Sequence, residues 1–361
     1  MTKLGTIALE LGMALLNVDA VRKRLVAEKS ASFQLRRMKI AQIHVKQFEE
    51  TAKGLEESIA PVIVAQVDSI TTGLEGKTPK ESESNEEIAN DLIERVYNPR
   101  EWDDKIVNAV LPVLAVGMAE AIVSFFQELG VDILKAKRVT TKATTATEWL
   151  EDHQDDWAVL VEAVEAEGLP IQIMTEMPPD MREVIQEQLG KTFKQDYWKV
   201  ISDTTGGDAE VFLRQGLDRG WSINRMASEI APSLQGEGTA KYAKQRAKNI
   251  ARTESGNALN SARKAAGDKL QEELPELPMK QSWMSVLGDT TRDTHADLDG
   301  VPEDEEGLWN LAGYMVPWPS HYSLPAQERC NCLCSILTEF GMQDAEAQQL
   351  LDEYAERVGE E

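Results

Sequence analysis

A mainly helical protein with a small C-terminal α+β domain is predicted by three observations. Apolar residues recur at gaps of three and four through much of the first 270 or so positions. Only 6% of residues are aromatic, and the apolar set is dominated by Ala, Val, Ile and Leu, which favours helices over a sandwich of short strands. The two stretches that read as strands, Met279 to Leu287 with a period of two and Leu333 to Phe340, both fall in the last quarter of the chain.

The elements follow in order. Leu4, Ile7, Leu11, Leu15, Val18, Val21 and Leu25 form the apolar stripe of a first helix. Leu55, Ile59, Ile63, Val67, Ile70 and Leu74 mark a second, in which Pro61 is tolerated near a first turn or at a kink. Gly76 to Glu87 then holds no apolar residue and reads as a linker. A short helix through Ile88, Leu92 and Val96 runs into Asn98-Pro99, and the residue before a proline is pushed out of the α region. This places a domain edge near 98, with residues 1–97 as a helical N-terminal region.

Residues 98–240 read as a helical domain. Its first piece, Ile106 to Phe126, is nearly long and apolar enough to span a bilayer. It carries Asn108, Pro112 and Glu120, however, and a carboxylate at mid-bilayer costs roughly 2.5 to 3.5 kcal/mol, so a buried core helix is the expectation. Trp149 to Val164, Met181 to Leu189, Val211 to Leu217 and a piece capped by Ser222 and running to Ile230 complete it, with Gly236-Glu237-Gly238 as a break. A small α+β domain is expected over 241–341 and an acidic helical tail over 342–361.

The α+β domain opens on a long helix, Thr239 to Glu273. Its inner positions, Ala243, Ala247, Ala251, Ala258, Ser261, Ala262 and Ala265, are small apart from Ile250 and Glu254, so a neighbouring backbone can lie close against it. Strand patterns at 279–287 and 333–340 bracket a loop-rich stretch from Asp289 to Trp318.

Thirty-eight basic against 62 acidic residues leave a net charge of -24, so the surface as a whole repels nucleic acid and anionic lipid. Two basic clusters stand against this background: residues 22–46, including Arg36 and Arg37, and residues 241–269, including Lys241, Lys244, Arg246 and Lys248. They are the places for a weak DNA contact or an acidic partner surface. The three cysteines, Cys330, Cys332 and Cys334, cannot build a secreted disulfide framework, which points to a reducing intracellular origin. The run Thr6 to Leu16 contains Glu10 and lacks a basic leader and a cleavage site, so no signal peptide is expected.

No phosphate-binding glycine loop, nucleophile elbow, HExxH pair or calcium loop occurs in the chain. What carries chemistry is a set in the last third: Arg252-Thr253-Glu254, Trp283, Arg292, His295, Gly300, Pro317-Trp318-Pro319, and Cys330-Asn331-Cys332-Leu333-Cys334. Arg252 and Glu254 lie two apart on a helix and face different ways, so each needs a partner from elsewhere. Glu254 is expected to hold the loop around His295, and Arg252 a carboxylate such as Asp289 or Asp293. His295 with the cysteines has the chemistry of a zinc site. The one-residue spacing of the cysteines argues against it, since zinc hairpins generally separate them by two to four residues, and buried thiols acting as small hydrophobes are expected.

In this order, these residues resemble the Mu F-like minor head proteins of tailed bacteriophages. In that family an Ala-Arg-Thr-Glu helix, here Ala251 to Glu254, precedes a Trp (Trp283), an Arg-x-x-His segment closed by a Gly (Arg292 to His295, Gly300), prolines (Pro317) and an Asn-Cys-Arg-Cys motif. The last is Asn331-Cys332-Leu333-Cys334 here, with leucine in place of the arginine. The likeness covers about residues 245–340. It implies a non-enzymatic phage structural protein, without cofactor and away from membranes. Such a protein would be assembled in the host cytoplasm into the virion head, where it associates with the portal protein and other head proteins during morphogenesis or genome delivery. The rival implication is enzymatic, since some family members look similar to ADP-ribosyltransferases or carry toxin domains. Arg252, Glu254 and His295 would then be the site, although no Ser-Thr-Ser strand accompanies them.

Overall fold

A computed structural model describes the backbone of residues 3–78, 84–131, 133–134, 157–158, 160–193, 197–235, 239–286, 291–340 and 347–354. Side chains are described over the same ranges except 3–34, 192–201 and 230–242. The chain divides into two compact units, residues 1–44 and 45–361. The first is helical throughout its described residues.

Where the sequence pattern suggests two separate helices, the structure has one, α1 (Lys3–Leu74). Between the two apolar stripes, residues 26–53 contain neither glycine nor proline, so nothing stops the helix even where basic residues blur its periodicity. Pro61 sits inside α1 on the exposed side, while Ile59 and Ile63 beside it are fully buried. Packing of the buried face offsets the roughly 3 kcal/mol that an interior proline costs. After α1, α2 (Asn85–Val96) starts where the Ser84 hydroxyl accepts the Glu87 N–H at 3.2 Å. Of the linker expected over 76–87, residues 79–83 lie outside the described ones.

Next, α3 (Arg100–Glu128) contains the apolar run. It is the one helix among the described residues long and apolar enough to cross a membrane, and most of its apolar stretch is buried inside the protein. Glu120 sits half-buried within it, and burial together with Glu50 raises its pKa. Further along come α4 (Gln172–Glu176), α5 (Pro179–Phe193), α6 (Tyr197–Asp218) and α7 (Ile223–Gln235). The expected Ser222 cap is present, its hydroxyl accepting the Arg225 N–H at 3.3 Å. The Tyr97 hydroxyl donates to the Ser202 carbonyl at 3.0 Å, and Leu92, Trp102, Leu213 and Met226 share one apolar cluster. Residue 98, expected at a domain edge, thus lies inside the second unit. Gly236-Glu237-Gly238 and residues 149–156 fall outside the described residues, while 160–166 and 347–354 are helical.

The long helix appears as α8 (Thr239–Glu273), and α3 and α8 are the axis of the main core. Nearly every side chain from Ala251 to Ala266 is buried, so this helix is enclosed on all sides over that stretch. A Cβ added to Gly256 would stand 2.8 Å from Ser320 Oγ and 3.2 Å from the Cys332 carbonyl. At that point the C-terminal loops touch the backbone of α8.

Beyond α8, β1 (Met279–Met284) pairs antiparallel with β4 (Ser335–Phe340), from Met279↔Phe340 to Met284↔Ser335. The other edge of β1 is also bonded, since Gly300 N–H donates to the Trp283 carbonyl and Trp283 N–H to that of Val301, both at 2.8 Å. Gly300 takes a positive φ of 77° to make that turn. Covered on both faces, β1 buries Ser282 and Met284 as well as Gln281 and Trp283, which the expected one-sided alternation does not anticipate. The stretch expected to be loop holds a hairpin, β2 (Trp309–Leu311) and β3 (Tyr314–Val316). Ala312 and Gly313 turn it with positive φ of 52° and 92°. Its strands are three residues each, too short for a period to show in sequence.

Candidate functional site

Everything singled out in the last third of the sequence, apart from the helix, lies on β1 or between it and β4. Two single-turn helices position it: α9 (Asp293–Ala296), which carries His295, and α10 (Ala326–Arg329), which ends at Cys330. Asn331 follows in the left-handed region, φ 56°, and reverses the chain so that Cys332 and Cys334 approach β4 with both sulfurs toward His295. Asparagine is among the few residues with a side chain that tolerate this conformation.

The His295 ring is buried, 2% exposed. Its Nε2 lies 3.1 Å from Glu328 Oε2, and its Nδ1 lies 3.4 Å from Cys332 Sγ and 3.4 Å from Cys334 Sγ. Thr294 Oγ1 donates to the same Glu328 oxygen at 3.0 Å. The backbone N–H of Cys334 donates to Cys332 Sγ at 3.4 Å, and Cys334 Sγ is 3.6 Å from Ser285 Oγ. Burial alone would lower the basicity of His295, but the Cys332 hydrogen bond and charge, with the Glu328 hydrogen bond, raise it. The Cys332 thiol is pulled well below its usual range, first by hydrogen bonding with Cys334 and then by His295, against burial. Cys334 is pushed up by Cys332 and by burial.

Trp283, fully buried, closes the floor of this cluster, its ring edge-on to His295 and to Trp309 at 5.9 Å in each case. Arg292 Nη2 donates to the Cys330 carbonyl at 2.7 Å. A cavity of about 70 Å³ adjoins the sulfurs, lined also by Thr291, Arg292 and Asn331. Cys330 is half-buried and outside the His295–Cys332–Cys334 group, so the structure assembles three of the four residues weighed for zinc.

Behind the cluster, Glu254, 2% exposed, accepts from Arg329 Nη2 at 2.7 Å. The cation that meets it thus comes from α10, a corrective to the expectation that Glu254 serves the Asp293–Gly300 loop. Arg252, expected to hold a carboxylate, places its guanidinium 5.7 Å from the Phe48 ring centroid. Asp289 lies outside the described residues. Thr253 bonds back to the Asn249 carbonyl at 2.8 Å. Asn260 Nδ2 donates to the carbonyls of Cys334 (2.9 Å) and Pro319 (3.3 Å), and Trp318 Nε1 to Asn257 Oδ1 at 2.9 Å. Glu328, Arg329, Ser285 and Asn260 escape the sequence reading. Each is a common residue type with no spacing signature, and only Arg329, next to the cysteine run, is close to anything that stands out.

Residues 209–337 match the family described as Phage Mu protein F like protein. Over these residues the chain is similar to that family. The match begins within α6 and ends within β4, so it reaches further toward the N-terminus than the motif set alone. The chain is also 31% identical over 112 residues to the NAD(+)--arginine ADP-ribosyltransferase EFV of Enterococcus faecalis (strain ATCC 700802 / V583). The aligned stretch is 30% of this chain and 22% of that protein, so the chain spans about a fifth of the length of this curated relative. No solved structure matches.

The basic residues proposed for DNA do not form one face of the Mu F-like domain. Lys244 and Lys248 are exposed, whereas Arg246 turns inward and donates to Thr205 Oγ1 at 2.5 Å. The side chain of Lys241 lies outside the described residues, and Arg36, exposed, and Arg37 belong to the first unit.

In the same domain, His321 gives a pH-dependent expectation. Burial first, and then Arg329, lower its pKa from 6.5 to about 4, and Nδ1 accepts the Ser323 N–H at 3.3 Å, consistent with a neutral ring. Its folded pKa lies below its unfolded one, so the unfolded chain gains a proton first, and stability is lost as pH falls from about 6.5 towards 4. The full loss approaches roughly 3 kcal/mol. Urea unfolding of wild type and a His321→Gln variant at pH 7 and pH 4.5 checks this: the variant should lose less on acidification. Equal losses would mean that His321 does not titrate in this window.

Proposed function

We propose that this chain is a structural protein of a bacteriophage head, acting in head morphogenesis and seated at the portal or the procapsid interior of the virion. The observation that carries the reading is that the ordered residue set of the Mu F-like domain folds into one internally bonded unit. Glu254, Trp283, His295 and Cys332 are each 2% exposed or less, bonded to or packed on neighbours within the domain. A catalytic carboxylate must reach its substrate, and Glu254 is enclosed with a guanidinium. Lys244 and Lys248 leave room for a weak contact to DNA phosphates.

The test is co-sedimentation of the full chain with purified portal oligomers and with empty heads. Binding to either supports the reading, and binding to neither overturns it. The transferase named among the relatives supplies the alternative, which predicts release of nicotinamide from NAD. We expect none from the full chain. Activity that disappears in a folded Glu254→Gln variant would replace the structural reading with the enzymatic one.

A further inference from the structure

The arrangement around His295 is that of a metal centre, and we propose that His295 Nδ1, Cys332 Sγ and Cys334 Sγ hold one zinc ion whose fourth position opens into the adjoining cavity. The ligand atoms of these three side chains lie within 4.8 Å of one another, and all three are buried. Zinc bound at about 2.3 Å to sulfur and about 2.0 to 2.1 Å to nitrogen, at tetrahedral angles, sets nitrogen and sulfur about 3.5 Å apart. Both observed separations are 3.4 Å.

The tautomer agrees. Glu328 Oε2 accepts a hydrogen bond from Nε2–H, so the ring proton sits on Nε2 and a lone pair is left on Nδ1. One lone pair aimed between two equidistant sulfurs suits a shared cation better than it suits either thiol. A carboxylate on the remote nitrogen is also what metal-bound histidines commonly have. The N–H···S bond from Cys334 to Cys332 gives one sulfur a donor, as a thiolate requires. Charges balance as well: a divalent ion, two thiolates and a neutral imidazole sum to zero, and Glu328 and Arg292 offset each other. On binding, the two thiols release their protons to solvent.

The spacing that argues against zinc in the sequence is a comparison with hairpins whose cysteines stand two to four residues apart. Here the turn at Asn331 sets Cys330 apart, and Cys332 and Cys334 each place a sulfur 3.4 Å from His295 Nδ1. The cavity of about 70 Å³, bordered by Thr291, Arg292 and Asn331, has room for a water as the fourth ligand. The ion would tie α9 to the segment entering β4, whether or not the chain joins a phage head.

Elemental analysis of the full chain, purified without chelator or metal-affinity resin, should find one zinc per chain. Cys332→Ser and His295→Ala should each lose most of it, while Cys330→Ser should keep it. Wild type stripped of metal and given cobalt(II) alone should develop the visible bands of a tetrahedral cobalt thiolate. The proposal is overturned if folded wild type carries no stoichiometric zinc and gives no cobalt bands. It is overturned equally if zinc persists in His295→Ala, if Cys330→Ser loses it, or if Cys332 and Cys334 are found joined as a disulfide.

Discussion

Replacing Glu254 with alanine should destabilise the chain by about 3 to 5 kcal/mol, because it leaves the Arg329 guanidinium inside the protein without its carboxylate. Glu254 is 2% exposed and Arg329 is 6% exposed, and their hydrogen bond is 2.7 Å long. The penalty comes from stranding the charge more than from losing the contact. Glu254→Gln keeps the acceptor oxygen and the volume, so its loss should be smaller. Arg329→Met should cost as much as Glu254→Ala, by stranding the carboxylate instead. The double variant Glu254→Met with Arg329→Met should recover much of either loss, since an apolar pair of similar volume needs no compensation. Thermal or urea unfolding of wild type, Glu254→Met, Arg329→Met and the double variant measures this as a double-mutant cycle. Strictly additive losses would show that the two side chains do not depend on each other.

Trp283→Ala should cost about as much, roughly 3 to 5 kcal/mol, through the cavity it opens. The indole is fully buried and packs edge-on against His295 and Trp309, so its removal takes away a shared wall. Trp283→Phe fills part of the space and should cost less. If instead Trp283→Ala unfolds at the same urea concentration as wild type, the third apolar cluster, formed by Trp283, Trp309, Leu311 and Val316 among others, does not contribute to global stability. Near-ultraviolet circular dichroism distinguishes a locally loosened domain from an intact one.

These expectations rest on contacts between residues 75 positions apart for Glu254 and Arg329, and 39 for His295 and Cys334. Such pairings have no periodicity and no local signature. Glu254 is legible as a buried acid because its neighbours on α8 are small. Its partner is not, because an arginine on a four-residue helix looks like any surface arginine until the fold encloses it. The cysteines show the same limit, since their spacing is visible in sequence while the backbone turn that decides which of them face His295 is not.

By itself the sequence determined the helical class, the bounds of α8, the core role of the apolar run in α3, the two strand segments at 279–287 and 333–340, and the ordered residues of the Mu F-like domain. These are properties of period, composition and order along the chain, which local sterics and burial translate directly into structure. Tertiary structure alone decided that residue 98 lies within a unit, that 309–316 is a hairpin, and that His295, Cys332, Cys334 and Glu328 converge. Each of those depends on which distant surfaces meet. A three-residue strand exists only beside its partner, and a buried polar group is satisfied by whatever side chain the fold brings to it.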